Sequence, residues 1–290
     1  MNVDVILVCY NQRQFIRQAV ESIIMQRVDS HVRVLVADDA SNDDTLEIIH
    51  KAFEKSSSEV VFLPSEKNLG ISKNYSRAFD ACEGDYIAIL EGDDYWCSPC
   101  HLQQHVDFLE EHRECSMSMN CFISQNDEAG MFTMMNWGYQ SYPHYVNVQE
   151  QIEKGNRLGN LSACVLRTSC VKELPRGLFD LPIADWMLGI MLSQYGYVAI
   201  LDNRTSVYRA NPHSHWASKS HSEHVKIMLG MAELYDAFQN GKYHEYWQTF
   251  RSSLFQEKKV SLKDYCPPFL ISLMKACTPP VLKRFIRKRG

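Results

Sequence analysis

The sequence predicts an α/β fold built on a Rossmann-like, mostly parallel sheet flanked by helices. Three observations carry that expectation. Short β-branched runs alternate with segments whose apolar residues recur at helical spacing through the first part of the chain. Three of those runs end in polar residues: Tyr10-Asn11, Asp38-Asp39 and Asp93-Asp94. The chain has 290 residues and is 45% hydrophobic, enough to bury a full core in one large domain or two small ones.

Taken in order, residues 3–9 read as a strand ending at Tyr10-Asn11. Phe15, Ala19, Ile23 and Ile24 then mark a helix. Residues 32–37 form a second strand ending in Asp38-Asp39, and Leu46, Ile49 and Phe53 share one face of the helix after it. Residues 60–63 are a third strand, and Ile71, Tyr75, Ala78, Phe79 and Cys82 mark a third helix. A fourth strand, residues 86–90, runs into Glu91-Gly92-Asp93-Asp94-Tyr95-Trp96. After about residue 112 the alternation weakens. Strands are expected over 116–124, 161–166, 197–201 and 205–209. Long loops around a cleft are expected over 124–160, an apolar helix after Asp185-Trp186, and helices from Ser218 onward.

The residues around Asp93 focus the chemistry. Three carboxylates within four residues repel one another. A divalent cation held against a phosphate ester gives them a reason to be there, because Mg²⁺ and Mn²⁺ take hard oxygen ligands, commonly one or two carboxylates plus phosphate oxygens. The competing reading is an acidic turn before a helix, with Ser98 as N-cap and Pro99 at the first helical position. In open parallel sheets ligands bind at the carboxyl ends of the strands, so the polar strand ends can share one site. Neither a dinucleotide fingerprint nor a P-loop accompanies them.

Composition narrows the classes. A net charge of −5 and a pI near 6.1 argue against a nucleic-acid partner. The first strand starts too early to leave room for a signal peptide, and no apolar run reaches the roughly 18 residues of a membrane-spanning helix. A cytoplasmic protein is therefore expected. Its ten cysteines sit mostly in apolar segments and are expected to be reduced. Cys97 and Cys100 have C-x-x-C spacing, but no second pair follows to complete a zinc site.

Together, Val8-Cys9-Tyr10-Asn11, Ala37-Asp38-Asp39-Ala40-Ser41-Asn42-Asp43, Asn68-Leu69-Gly70-Ile71-Ser72-Lys73-Asn74, Glu91-Gly92-Asp93-Asp94-Tyr95-Trp96 and Ala184-Asp185-Trp186 resemble glycosyltransferase family 2, of the GT-A fold. The resemblance covers roughly residues 1–216 and looks closest to bacterial members that build surface polysaccharides such as O-antigen or capsule. It implies an inverting, metal-dependent enzyme that uses Mn²⁺ or Mg²⁺. Such an enzyme moves a sugar from a UDP- or dTDP-linked donor to a hydroxyl of a glycan or lipid-linked glycan acceptor. The implied nucleotide-binding residues are Cys9, Tyr10, Asn11, Asp38, Asp39, Asn74 and Asp93. Tyr10 packs on the base, Asp39 accepts its N–H, with Asp38 the adjacent candidate, and Asp93 contacts ribose and sugar. Asp94 is the implied metal ligand and Asp185 the catalytic base. Trp96 and Trp186 are the implied substrate contacts. Lys73 and Arg77 are candidates for the diphosphate.

Two positions depart from the family pattern. Glu91 stands where aspartate is usual. A histidine that can ligate the metal is replaced at its aligned place by Asn211, leaving His213 as the preferred second ligand over His215. Two rivals remain: a sugar nucleotidyltransferase, which would want a Gly/Arg/Lys-rich phosphate loop after the first strand, and a non-catalytic scaffold, which would be expected to lose the acids.

The expected organisation is a GT-A domain over 1–216, with a nucleotide-binding half at 1–96 and an acceptor-binding half at 97–216. A helical C-terminal extension follows over 217–290. Six Lys or Arg and no acid follow residue 274, interleaved with Leu, Phe and Ile. That segment reads either as a peripheral membrane contact or as a helix packed on the core with a basic tail.

Overall fold

The computed structural model describes residues 1–135, 137–182, 185–210 and 219–256. Contacts divide the chain into two compact units, 1–214 and 215–290. The first unit opens with the expected alternation: β1 (Asn2–Cys9), α1 (Ile16–Ile24), β2 (His31–Asp38), α2 (Thr45–Phe53), β3 (Glu59–Phe62), α3 (Ile71–Asp80) and β4 (Tyr86–Glu91). After these come β5 (Tyr95–Trp96), α4 (His101–Glu111), β6 (Cys115–Asn120), β7 (Ile123–Asn126), β8 (Met131–Met134), β9 (His144–Val146) and α5 (Val148–Glu153). The unit continues with β10 (Cys164–Arg167), α6 (Thr168–Lys172), α7 (Asp185–Leu192), β11 (Tyr197–Leu201) and β12 (Ser206–Arg209).

The main sheet has eight strands in the order β3-β2-β1-β4-β10-β6-β11-β9. β1 pairs in parallel with β2 and β4, and β2 in parallel with β3. β10 runs antiparallel between β4 and β6, while β6 and β11 are parallel again. Helices cover the parallel half, so its strands are apolar on both faces. Val3, Val5 and Leu7 of β1 share a core with Ile16, Ala19 and Val20 of α1 and with Leu102 and Val106 of α4. A second sheet has the order β5-β12-β7-β8 and carries the residues just after the acidic turn.

Four expectations change. The helix after the acidic turn starts at His101, not at Pro99. The Ser98 hydroxyl accepts the Cys100 N–H at 3.2 Å and so closes a turn instead of capping a helix. The run 116–124 is two strands in two different sheets, broken at Cys121-Phe122. There the Asn120 side-chain amide donates to the Cys121 carbonyl at 2.7 Å and to Ser206 Oγ at 3.0 Å. Residues 124–160 contain β8, β9 and α5 rather than loops alone. Residues Leu161–Ala163 form a single 3₁₀ turn, and the strand begins only at Cys164. Cys97 and Cys100 are free thiols.

The described part of the second unit is two helices, α8 (His221–Phe238) and α9 (His244–Gln256). A capping box between Ser220 and Glu223 starts α8. Buried Tyr235 and Trp247 pack between the helices with ring centroids 6.1 Å apart. No helix among the described residues is long and apolar enough to cross a membrane. The basic C-terminal segment lies outside the described residues.

Candidate active site

Parallel pairing brings three strand ends to one level. Cys9 at the end of β1 lies opposite Asp38 of β2, and Val8 lies opposite Glu91 of β4. A cavity of about 400 Å³ opens there, lined by Cys9, Tyr10, Gln12, Asp39, Gly70, Asn74, Glu91 and Asp93 among others. Gly92 lets the acidic turn lie against β1, because a Cβ there would meet Cys9 Cβ at 2.8 Å and Ile16 Cδ1 at 3.0 Å.

Residues expected to bind nucleotide divide into those facing the cavity and those building its rim. Tyr10 is 43% exposed, which leaves its ring free to stack. Asn11 adopts φ 53°, donates its N–H to Ser41 Oγ at 2.8 Å and accepts the Asn42 N–H at 2.9 Å, so it ties the β1 loop to the β2 loop. Asp38 turns away from the cavity. It accepts the Ser41 N–H at 2.9 Å and the Ser41 hydroxyl, and so shapes its own turn. Asp39 clasps the loop before α3, accepting the Leu69 N–H at 2.8 Å and the Gly70 N–H at 2.9 Å on separate oxygens. One lone pair on each oxygen remains for a ligand. Asn74 is 1% exposed, donates to the Ala37 carbonyl at 2.7 Å and accepts from Arg77 Nε at 2.8 Å. Arg77 spends its guanidinium on the carbonyls of Asp38, Leu63 and Pro64, and Lys73 pairs with Asp180. Both cations are thus occupied in holding the fold.

The acids behave differently from one another. Asp93 lines the cavity. Burial pushes its carboxyl up, while Arg209 and a hydrogen bond from Gln12 pull it down. Asp94 is 1% exposed and accepts from Ser162 Oγ at 2.7 Å and from the Arg209 N–H at 2.9 Å. Burial, then Asp93 and Glu91, raise it well above the usual carboxylate range. Glu91 accepts the Tyr75 hydroxyl at 2.8 Å and is also raised, by burial and then by Asp93. Asp185 heads α7, accepts the Trp186 N–H at 2.9 Å and is raised by burial. Its charge raises Glu91 and Tyr75, so the fold brings this distant acid within electrostatic reach of the strand-end cluster.

The two tryptophans expected against substrate are instead core residues. Trp96 is 1% exposed, stacks on His101 at 4.5 Å and donates Nε1–H to the Ser162 carbonyl at 2.8 Å. Trp186 is 3% exposed and donates Nε1–H to the Gln151 carbonyl at 2.6 Å. Each ring is a large apolar surface packed inside, and each indole N–H finds a backbone partner there. His213 lies outside the described residues, and no group of three or more His, Cys, Asp or Glu among the described residues is arranged to hold a metal ion. The donor set that is present still suits a divalent cation. Neighbouring carboxylates raised by burial and mutual repulsion are relieved by an added positive charge, and phosphate oxygens supply the remaining hard ligands.

Sequence reading overlooked Gln12, Ser162 and the Arg209 amide. Ser162 meets Asp94 across 68 residues of sequence, and no local pattern signals such a pairing.

The strand ends of this α/β sheet gather a cavity, an exposed tyrosine and clustered carboxylates, as expected of a GT-A glycosyltransferase. The sequence profile of Glycosyl transferase family 2 matches residues 4–168, and the chain belongs to that family. An uncharacterised protein of Mycobacterium tuberculosis is 28% identical over 218 residues, 74% of this chain and 60% of its own length. The chain thus spans less than two thirds of the curated relatives it matches. The Escherichia coli UDP-Glc:alpha-D-GlcNAc-diphosphoundecaprenol beta-1,3-glucosyltransferase WfaP is 27% identical over 124 residues, 43% of this chain and 47% of its own. Among solved structures, Staphylococcus aureus TarS 1–349 in complex with UDP-GlcNAc superposes with a TM-score of 0.60 at 18% identity, covering 91% of this chain and 77% of that one. The Pyrobaculum calidifontis mannosyltransferase PcManGT, in complex with GDP-Man and Mn²⁺, gives 0.59 at 14% identity, covering 87% and 69%.

Proposed function

We propose that this glycosyltransferase moves a sugar from a UDP- or dTDP-linked donor to a hydroxyl of a glycan or lipid-linked glycan. The reaction proceeds with inversion, at the cytoplasmic face of the membrane, in bacterial surface polysaccharide synthesis. The observation that carries this reading is the cavity bounded by Tyr10, Asp39, Glu91 and Asp93 at the ends of β1, β2 and β4. Its floor and walls suit a nucleoside diphosphate: a ring to stack on, a carboxylate for a base N–H, and acids that would hold a cation beside the phosphates. The diphosphoundecaprenol-linked acceptor of WfaP supports the acceptor class.

In this reading Tyr10 packs on the base and Asp39 accepts its N–H. Asp93 orients ribose and sugar from the cavity wall, and Asp94, with His213, would hold Mn²⁺ or Mg²⁺. The cation, when bound, neutralises charge that develops on the departing diphosphate. Asp185 takes the proton of the acceptor hydroxyl as its oxygen bonds to the anomeric carbon, opposite the breaking bond to the diphosphate. Burial of Asp185 strengthens it as a base, since a raised carboxyl holds a proton better.

A thermal-shift screen of nucleotide sugars tests the reading. A donor present at 100 times its dissociation constant stabilises the native state by about 2.7 kcal/mol. A UDP- or dTDP-sugar is expected to raise the melting temperature in Mn²⁺ and to lose that effect in chelator. Equal shifts with and without metal, or none from any nucleotide sugar, contradict the reading.

A further inference from the structure

Strand β8 is an edge of the second sheet, beside β7. All its residues are exposed, and three are large and apolar: Met131 at 59%, Phe132 at 63% and Met134 at 70%. Edge strands are usually blunted by charge, proline, a bulge or a covering element. Met131-Phe132-Thr133-Met134 has no charge and no proline. It pairs with β7 without a break in register, and no strand among the described residues pairs with its outer side. The direction of its backbone groups follows from the ladder. In an antiparallel pair, residues that exchange both hydrogen bonds alternate with residues that exchange none. Gln125 gives its carbonyl to the Ala210 N–H at 2.8 Å, towards β12, so Phe132 opposite it is not bonded to β7. Met135, just past the strand, donates its N–H to the Phe122 carbonyl at 2.9 Å, towards β7. Both observations put the N–H and C=O of Phe132 and Met134 on the outer edge.

We propose that β8 is a self-association edge, on which a second copy of this chain pairs antiparallel about a two-fold axis through Thr133. In that register Phe132 of one copy exchanges both hydrogen bonds with Met134 of the other, and Met134 does the same with Phe132. Both outward residues are satisfied and the pairing stays within the strand. A shift by one residue would set outward groups against inward ones. The side chains fit the same register. Phe132 and Met134 share a face, so each ring lies opposite a thioether of the other copy, a favourable cross-strand pair. The acids of the hairpin, Asp127 and Glu128, stand at its turn, where the Asp127 carbonyl accepts the Gly130 N–H at 3.4 Å, so no like charges meet at the axis. A lipid surface would suit the apolar side chains but leave the outward backbone groups unpaired; a second strand satisfies both. The contact is isologous, as a two-fold dimer requires. One short strand is a small interface, so the dimer is of the transient kind and depends on concentration. None of this depends on the roles assigned to the acids of the site.

Sedimentation velocity of the full chain over a concentration series tests the proposal. The average mass of the wild type should rise with concentration towards twice that of one chain. Thr133→Glu sets two carboxylates directly opposite each other across the axis. It should keep the chain monomeric throughout the series with an unchanged melting temperature, because position 133 is exposed. Met134→Pro removes an outward N–H and none that bonds to β7, a change that edge strands accept. It should weaken dimerisation by roughly 10–30-fold, since two symmetry-related hydrogen bonds are lost. Cysteine variants in oxidised glutathione read the register. Position 133 faces its own mate in the closer type of pair, within reach of a disulfide, whereas position 131 lies roughly 13 Å from its mate along the strand. Thr133→Cys should give a covalent dimer above the wild-type background, and Met131→Cys should not. A wild type that stays monomeric at every concentration overturns the inference, as does folded Thr133→Glu that dimerises like the wild type. Cross-linking through position 131 and not 133 overturns it too.

Discussion

Asp93 and Asp94 are neighbours in sequence with different surroundings in space. Asp93 faces the cavity, and Asp94 is hydrogen-bonded into the protein by Ser162 and the Arg209 amide. The cluster of acids is legible in the sequence because like charges so close together need a compensating partner. Which of them points into the cavity is not legible, since that depends on β12 and on the turn before β10. Trp96 and Trp186 show the same limit. An aromatic beside an acid reads as a pocket wall, yet both indole N–H groups donate to backbone carbonyls in the interior. Two outcomes follow at this scale. Asp185→Asn keeps the shape and removes the base, so turnover should fall by roughly 10²–10⁴-fold with donor affinity retained; a variant with most of the wild-type turnover assigns Asp185 to helix α7 alone. Gly92→Ala places a methyl against Cys9 Cβ at 2.8 Å. Overpacking of this kind costs about 1–3 kcal/mol, so the urea midpoint should drop, and an unchanged midpoint would show that the turn relaxes freely.

Helix α4 carries the clearest consequence among the elements. Its inner face puts His101 and His105, both 0% exposed, against β6 and β12. His101 Nδ1 meets Thr205 Oγ1 at 2.7 Å, and His105 Nδ1 meets Ser118 Oγ at 2.8 Å. Burial pushes His105 down to about 4 and His101 well below the usual imidazole range. An unfolded imidazole titrates near 6.5. Between those values the unfolded chain holds protons that the native state does not, so stability is full above about pH 6.5 and falls as pH drops towards 4. For His105 alone the loss is about 3 kcal/mol at the acid end. Urea unfolding at a series of pH values checks this, and His105→Gln should make the slope shallower by about one proton. A slope equal to that of the wild type would contradict it. The strands and helices up to β4 are legible because parallel strands buried on both faces leave continuous apolar runs. The second sheet is not. Every residue of β8 is exposed, so the run lacks the alternation that marks a half-buried strand, and β7 hides at the end of a run that reads as one strand but changes sheets at Cys121-Phe122.

Across the whole molecule, the proposal of a lipid-linked acceptor asks how the enzyme reaches a two-dimensional substrate. The basic segment over 267–290 offers a means. Each Lys or Arg near an anionic surface contributes about 1 kcal/mol, and salt screens that attraction. Removing those residues is expected to release the protein from anionic liposomes at low salt while transfer to a short soluble acceptor continues. Full-length protein that fails to co-sediment, or a truncated protein that unfolds, would place the segment elsewhere. The strand-end site stands at the centre of the proposed activity, and one calorimetric experiment reaches it most directly: UDP and dTDP titrated in Mn²⁺ into wild-type protein, Asp94→Asn and Asp185→Asn. The expected result is tight, metal-dependent binding of one nucleotide to the wild type, loss of that binding in folded Asp94→Asn, and retention in Asp185→Asn. Equal affinity in Asp94→Asn and the wild type would contradict the assignment of the acidic turn to the diphosphate and its cation.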